Sequence, residues 1–80
     1  MSQLDKDFTR RLAFLLVETL MRRLKTLRFF RHSPSAFCRW LELVRMASQD
    51  IRNLLRYSDR QHCIACLRAA VKHYREQGKA

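Results

Sequence analysis

The chain has 80 residues, a formal net charge of +10 from 17 basic and seven acidic side chains, and 48% hydrophobic residues. This length excludes a second domain and leaves room for only a small core, and the apolar content excludes a disordered basic tail. The most apolar stretch, residues 12–21, is half the roughly 20 residues that a membrane span requires. We therefore expect one folded cationic domain that attracts polyanions.

The first helix is predicted over residues 3–31, with Ser2 as its N-cap. The apolar residues at helical spacing form the expected core stripe: Phe8, Leu12, Leu15, Leu16, Leu20, Leu24, Leu27 and Phe30. Phe14, Val17 and Met21 lie outside this stripe and predict a second contact surface, either a homodimer through helix one or a site for a protein partner. The alternative is that the other two helices each cover one stripe.

The second helix is predicted over residues 34–57. Pro34 cannot continue the preceding helix but fits the first turn of the next one, and Ser33 can cap that turn. Trp40 lies in the apolar stripe of this helix and is expected to be a major core anchor.

The third helix is predicted over residues 59–76, with Ser58 as its N-cap. Its apolar stripe comprises Cys63, Ile64, Leu67, Ala70, Val71 and Tyr74. The alternation typical of strands is not sustained anywhere, and short links place consecutive helices antiparallel. The expected fold is all-α, either a three-helix bundle or a long helical hairpin with a third packed helix, and we expect it to be dimeric.

Arginine dominates the basic residues, with 13 arginines and four lysines. Its planar, permanently charged fork suits phosphate better than a lysine ammonium does. On the second helix, Arg45, Arg52 and Arg56 share an azimuth about 100° from the centre of the apolar stripe and span roughly 16 Å. We call this set the 45–56 ridge.

The third helix carries a similar set, Arg68, Lys72 and Arg75, which we call the 68–75 ridge. Rigidly spaced donors with few acids between them are typical of a surface that follows a phosphate backbone, and the first helix adds further cations between the ridges: Arg22, Lys25 and Arg28. Each ridge has an alternative interpretation as an ordinary solvated helix face.

These features predict a non-catalytic module that binds duplex RNA or DNA through its phosphates. Duplex RNA is favoured because its binders rely on phosphates and 2′-hydroxyls rather than base edges. The alternative is a small regulator or inhibitor, of the kind found in phages, viruses and mobile elements, that docks on an acidic protein through helix one. A third hypothesis is a cationic helix on an anionic membrane, which is weakened by Glu18 inside helix one.

No cofactor or metal is predicted. Cys63 and Cys66 with His62 and His73 suggest zinc, but His73 lies roughly 10 Å further along a continuous helix than Cys66. The sequence also shows no evident carboxylate pair or glycine-rich phosphate loop, so we predict that the protein is not an enzyme. Together with Cys38, the cysteines predict a reducing, intracellular location, cytoplasmic or nuclear.

Overall fold

The protein is all-helical in a computed structural model that describes residues 5–78. The helices are α1 (Lys6–Lys25), α2 (Leu27–Phe30), α3 (Pro34–Tyr57) and α4 (Arg60–Gly78). No strand occurs within the described range, so the predicted all-α class is confirmed. The bounds of α3 match the prediction, and those of α4 differ from it by one or two residues. The proposed Ser2 cap lies outside the described residues.

Thr26 interrupts the first predicted helix, which resumes as the four-residue α2. The Arg23 carbonyl accepts hydrogen bonds from the Thr26 backbone N–H at 3.1 Å, the Thr26 hydroxyl at 2.7 Å and Trp40 Nε1 at 2.6 Å. In an uninterrupted helix this carbonyl would accept the N–H of Leu27. The prediction of one helix over residues 3–31 is therefore wrong, because donors from the turn and from α3 occupy the carbonyl that would continue it.

The two ends of α3 differ in how well their capping was predicted. At its start, Ser33 Oγ accepts the Ala36 N–H at 3.2 Å, which confirms the predicted N-cap. At its end, the Ser58 hydroxyl donates to the Leu54 carbonyl of α3 instead of capping α4. Asp59 Oδ1 accepts the Gln61 N–H at 3.2 Å in its place. The acid next to α4 thus acts as its cap, and the serine closes the preceding helix.

Helix α1 lies between α3 and α4. Trp40, near the start of α3, bonds to Arg23 near the end of α1, and Leu54, near the end of α3, packs with Ala13, so these two helices are antiparallel. Helix α4 runs parallel to α1, because His62 lies beside Lys6 and Tyr74 beside Lys25. Both helices pack extensively on α1 but contact each other only slightly.

The helices consequently form an open layer. The Cα atoms extend over 45 × 33 × 15 Å. A closed three-helix bundle, with axes 8–10 Å apart at the corners of a triangle, would have two short dimensions of similar size. Within residues 5–78, no helix combines the length and apolar content needed to cross a bilayer.

The core is built largely from small side chains. Its buried apolar residues are Ala13, Val17, Trp40, Ala47, Leu54, Cys63, Cys66 and Ala70. On α1, Ala13 and Val17 are buried with Thr9, whereas Phe8, Leu15 and Leu24 of the predicted stripe are exposed. The predicted stripe is therefore wrong at these three positions, because neighbours on two sides of α1 bury the narrow strip of small residues between them.

Candidate nucleic-acid interface

The 45–56 ridge lies on the outer side of α3. All three arginines of this ridge are exposed. Trp40 and Leu54 of α3 face α1, and at about 100° per residue the ridge residues lie roughly 140° to 180° around the helix from the centre of the buried side. Helical spacing alone predicts that they lie about 100° from the centre of the apolar stripe. The difference arises because α1 covers only part of that stripe, leaving Phe37 and Leu41 exposed.

The 68–75 ridge occupies the corresponding position on α4. Its three side chains are exposed, and they lie roughly 150° around the helix from the buried Cys63, Cys66 and Ala70. They border an open groove of about 470 Å³ whose lining includes Leu67 and Val71. Cationic groups around partly exposed aliphatic side chains can bind an anion while their own stems cover apolar surface.

The two ridges do not merge into one surface. Each points away from α1, and α1 lies between the helices that carry them. Three helices side by side, each about 10–12 Å in diameter, separate the outer sides by roughly 30 Å, in keeping with the 33 Å width of the Cα layer. The sequence predicted the members of each ridge but not their placement at opposite edges.

The helix-one cations expected to join the ridges are engaged locally. Lys25 Nζ lies 4.9 Å from the centre of the Tyr74 ring, and the Arg28 guanidinium lies 4.8 Å from that of Phe29. Arg22 pairs with Glu18 at 2.6 Å. These contacts are compatible with a cationic surface, but they do not connect one edge to the other.

Most of the positive charge is unpaired. Within residues 5–78, the Arg22–Glu18 pair is the only contact between a basic and an acidic side chain shorter than 4.0 Å. Acidic residues do lie near both ridges: Glu42 lines a shallow groove with Arg45, and Glu76 lines one with Arg75. Neither acid pairs with a ridge residue. The six ridge cations are therefore available to an external anion.

The predicted interface of Phe14, Val17 and Met21 is not an open surface. Val17 is 4% exposed and belongs to the core. Phe14 packs edge-on against His73 of α4, with ring centroids 5.5 Å apart, and Met21 is partly buried. The prediction is therefore wrong for Val17, which is a core residue, and α4 covers at least Phe14 of the three.

Two of the exposed apolar residues of α1, Phe8 and Leu15, were predicted from their helical spacing to lie in the core. They are exposed and, being seven residues apart, lie on the same outer side of α1. Arg11 and Arg22 are exposed near them. The seven-residue spacing was visible in the sequence, but it does not reveal whether the shared side faces the core or the solvent.

The cysteines and histidines do not assemble a metal site within the described residues. His62 Nε2 lies 3.2 Å from the Lys6 carbonyl oxygen and 3.5 Å from Cys66 Sγ. This nitrogen donates to the carbonyl when it carries the proton and otherwise can accept from the thiol. His73 is turned to Phe14. Across residues 5–78, no three histidine, cysteine or acidic side chains converge on one point.

Comparison of the chain with protein-family models, curated proteins and solved structures gave no match. The positions, exposure and charge of the two ridges are therefore the observations from which a function can be inferred. Each ridge places three permanent or nearly permanent positive charges on one rigid helix. Such an array can hold several phosphates without any movement of the backbone.

Proposed function

We propose that the protein is a non-catalytic module that binds duplex nucleic acid, RNA or DNA, through phosphate contacts made by the 45–56 and 68–75 ridges. The observation that carries this proposal is the combination of a +10 formal charge with six exposed, unpaired ridge cations among the described residues. Unpaired cations held along one side of a helix can form charge-assisted hydrogen bonds with successive phosphates of a nucleic-acid backbone.

Base readout is not part of the proposal. The ridge residues have long side chains and lie in the middle and towards the end of their helices. These positions suit contacts with the phosphate backbone of a nucleic acid. Major-groove readers place hydrogen-bonding side chains close to the start of a recognition helix. At the start of α3, the exposed Phe37 stacks on Trp40 at 5.8 Å between ring centroids, so this turn presents aromatic surface. We expect affinity to vary little with sequence.

Salt dependence of duplex binding is the first test. Each neutralised phosphate releases counterions and contributes about 0.9 to the slope of log K against log salt, so a ridge of three cations predicts a slope near −3. We expect affinity for a duplex of about 20 base pairs to fall by well over tenfold between about 50 mM and 200 mM salt. Fluorescence anisotropy measures this directly. A flat salt response, or no binding at low salt, rejects the proposal.

Neutralisation of both ridges is the second arm of this test. Substitution of the six ridge cations by Gln preserves helix propensity while removing six charges. A matched control removes six exposed cations elsewhere: Arg10, Arg11, Arg23, Arg31, Arg39 and Arg60. We expect the ridge variant to lose most of its duplex affinity and salt slope, and the control to lose much less. Equal losses would mean that net charge alone drives binding, and circular dichroism checks that both variants remain helical.

A second candidate function, regulation of an acidic protein partner, is favoured by the outer side of α1. Phe8 and Leu15 are exposed there beside Arg11 and Arg22. Apolar anchors flanked by cations suit an acidic helix or groove. A pull-down from the native host with and without nuclease separates the candidates: partners lost on nuclease treatment support the first, and a nuclease-resistant partner lost in Phe8→Glu supports the second.

A homodimer and an intracellular location are also proposals. The homodimer now rests on Phe8 and Leu15, since Val17 is in the core, and the charge of +10 on each copy opposes it at low salt. The location rests on Cys38, Cys63 and Cys66, which are all free thiols. Sedimentation at physiological salt would give the mass of the free protein.

A further inference from the structure

We infer that one molecule of this protein bridges two separate duplexes, one at each edge of the helical layer. This inference rests on the proposed function, since it assigns both ridges to phosphate. It goes further by giving the number and the direction of the sites. A protein that joins duplexes would gather or compact nucleic acid, whereas a single basic face would only coat it.

The opposite placement of the ridges supports two sites. The 45–56 ridge is on the side of α3 remote from α1, and the 68–75 ridge is on the side of α4 remote from α1. The two arrays therefore point in roughly opposite directions across a layer that is 33 Å wide at its Cα atoms. A surface built for one duplex would instead place both arrays on the same face.

The stiffness of a duplex prevents one short molecule from using both edges. The persistence length of DNA is about 150 base pairs, so a duplex of about 20 base pairs behaves as a nearly straight rod. Such a rod lying along one edge cannot turn around a layer roughly 30 Å across to reach the other edge. Two of the cations expected to join the ridges, Lys25 of α1 and Arg28 of α2, lie against aromatic rings.

The local charges make the two edges similar in strength. Each ridge has three cations, and one acid lines the adjoining groove at each edge, Glu42 at the α3 edge and Glu76 at the α4 edge. Neither acid forms an ion pair with a ridge residue within the described chain. Both edges should consequently bind a duplex in the same range of salt, which bridging requires.

The experiment uses two duplexes of about 20 base pairs and identical sequence, one carrying biotin and the other a fluorophore. The 80-residue chain is mixed with both, and fluorescence retained on streptavidin beads measures bridging. Two variants each lose one ridge: R45Q/R52Q/R56Q and R68Q/K72Q/R75Q. The control, R10Q/R11Q/R31Q, loses the same charge from exposed positions outside both ridges. Anisotropy with a single duplex is measured for every protein.

Bridging predicts that the wild type and the control retain fluorescence on the beads. Each one-ridge variant should bind a single duplex by anisotropy, while retained fluorescence falls to the level seen without protein. Retention should also pass through a maximum as protein is added, because excess protein covers each duplex separately.

Two results would overturn the inference while leaving the proposed function intact. One is a wild type that binds duplex but retains no fluorescence. The other is a one-ridge variant that still retains it, because bridging would then come from self-association or from another surface. Absence of duplex binding by any protein in the anisotropy arm would instead refute the proposed function itself.

Discussion

Because α1 lies between α3 and α4, the hydroxyl of Thr9 is buried. Thr9 is 1% exposed, and no hydrogen-bond partner for its Oγ1 occurs among the described residues. A buried hydroxyl without a partner loses its hydration without compensation. By contrast, Thr19 on the same helix donates its hydroxyl to the Leu15 carbonyl at 2.9 Å. The same Thr→Val substitution at these two positions therefore compares the loss of an unpaired hydroxyl with the loss of a paired one.

Thr9→Val should raise the free energy of unfolding by about 1 kcal/mol, because valine keeps the shape of threonine and removes the unpaired hydroxyl. Thr19→Val deletes a hydroxyl that has a hydrogen-bond partner at a less buried position. It should leave the free energy of unfolding unchanged or lower it by no more than about 0.5 kcal/mol. Urea unfolding of both variants measures this difference. A loss of stability in Thr9→Val would indicate that a buried water bonds to the hydroxyl.

At the scale of elements, α1 is the helix whose environment was hardest to predict. Its hydrophobic residues surround most of the helix, so several faces satisfy the spacing rule. Helix α3 was simpler, because Pro34 and Ser33 define its start through local sterics and a local hydrogen bond. The side of α1 that is buried depends on where α3 and α4 approach it. That information lies in residues far away in the sequence.

Val17→Glu should unfold the protein or lower the free energy of unfolding by at least about 3 kcal/mol, because it places a charge in the core between helices. Leu15→Glu makes the same change two residues earlier, where the side chain is 57% exposed, and should cost less than about 1 kcal/mol. Thermal melting followed by circular dichroism distinguishes the two. If the wild type is a dimer and the Val17→Glu protein is a folded monomer, the interface first predicted through Phe14, Val17 and Met21 would be supported after all.

At the scale of the whole molecule, the thin layer keeps most of the charged side chains in solvent. The folded chain holds a formal +10 charge with one ion pair within residues 5–78. Unpaired like charges on a compact body repel one another and reduce its stability, and dissolved salt screens this repulsion. A ligand that neutralises the edges would have the same stabilising effect.

The melting temperature should accordingly rise as ionic strength increases from about 10 mM to 150 mM, where the Debye length shortens from about 30 Å to 8 Å. The variant with both ridges neutralised should melt higher than the wild type at low salt and respond less to added salt. Differential scanning calorimetry or circular dichroism would measure both trends. A wild-type melting temperature that falls with salt would show that attractive rather than repulsive charge pairs dominate.

The sequence by itself determined the all-helical class, the bounds of α3, the cap at Ser33 and the excess of arginine. These follow from interactions that act over a few residues, such as the geometry of proline and the spacing of side chains on a helix. It also identified the members of each ridge, because residues three, four or seven apart share a helix face.

Only the tertiary structure decided that α1 lies between α3 and α4, that Ala13 and Val17 are buried while Phe8 and Leu15 are exposed, and that the ridges occupy opposite edges. Helical periodicity specifies relative positions around one axis, but it does not specify how that axis is oriented towards its neighbours. The direction is set by the combined packing of all three long helices. For this protein, that packing separates two similar cationic ridges into two candidate sites.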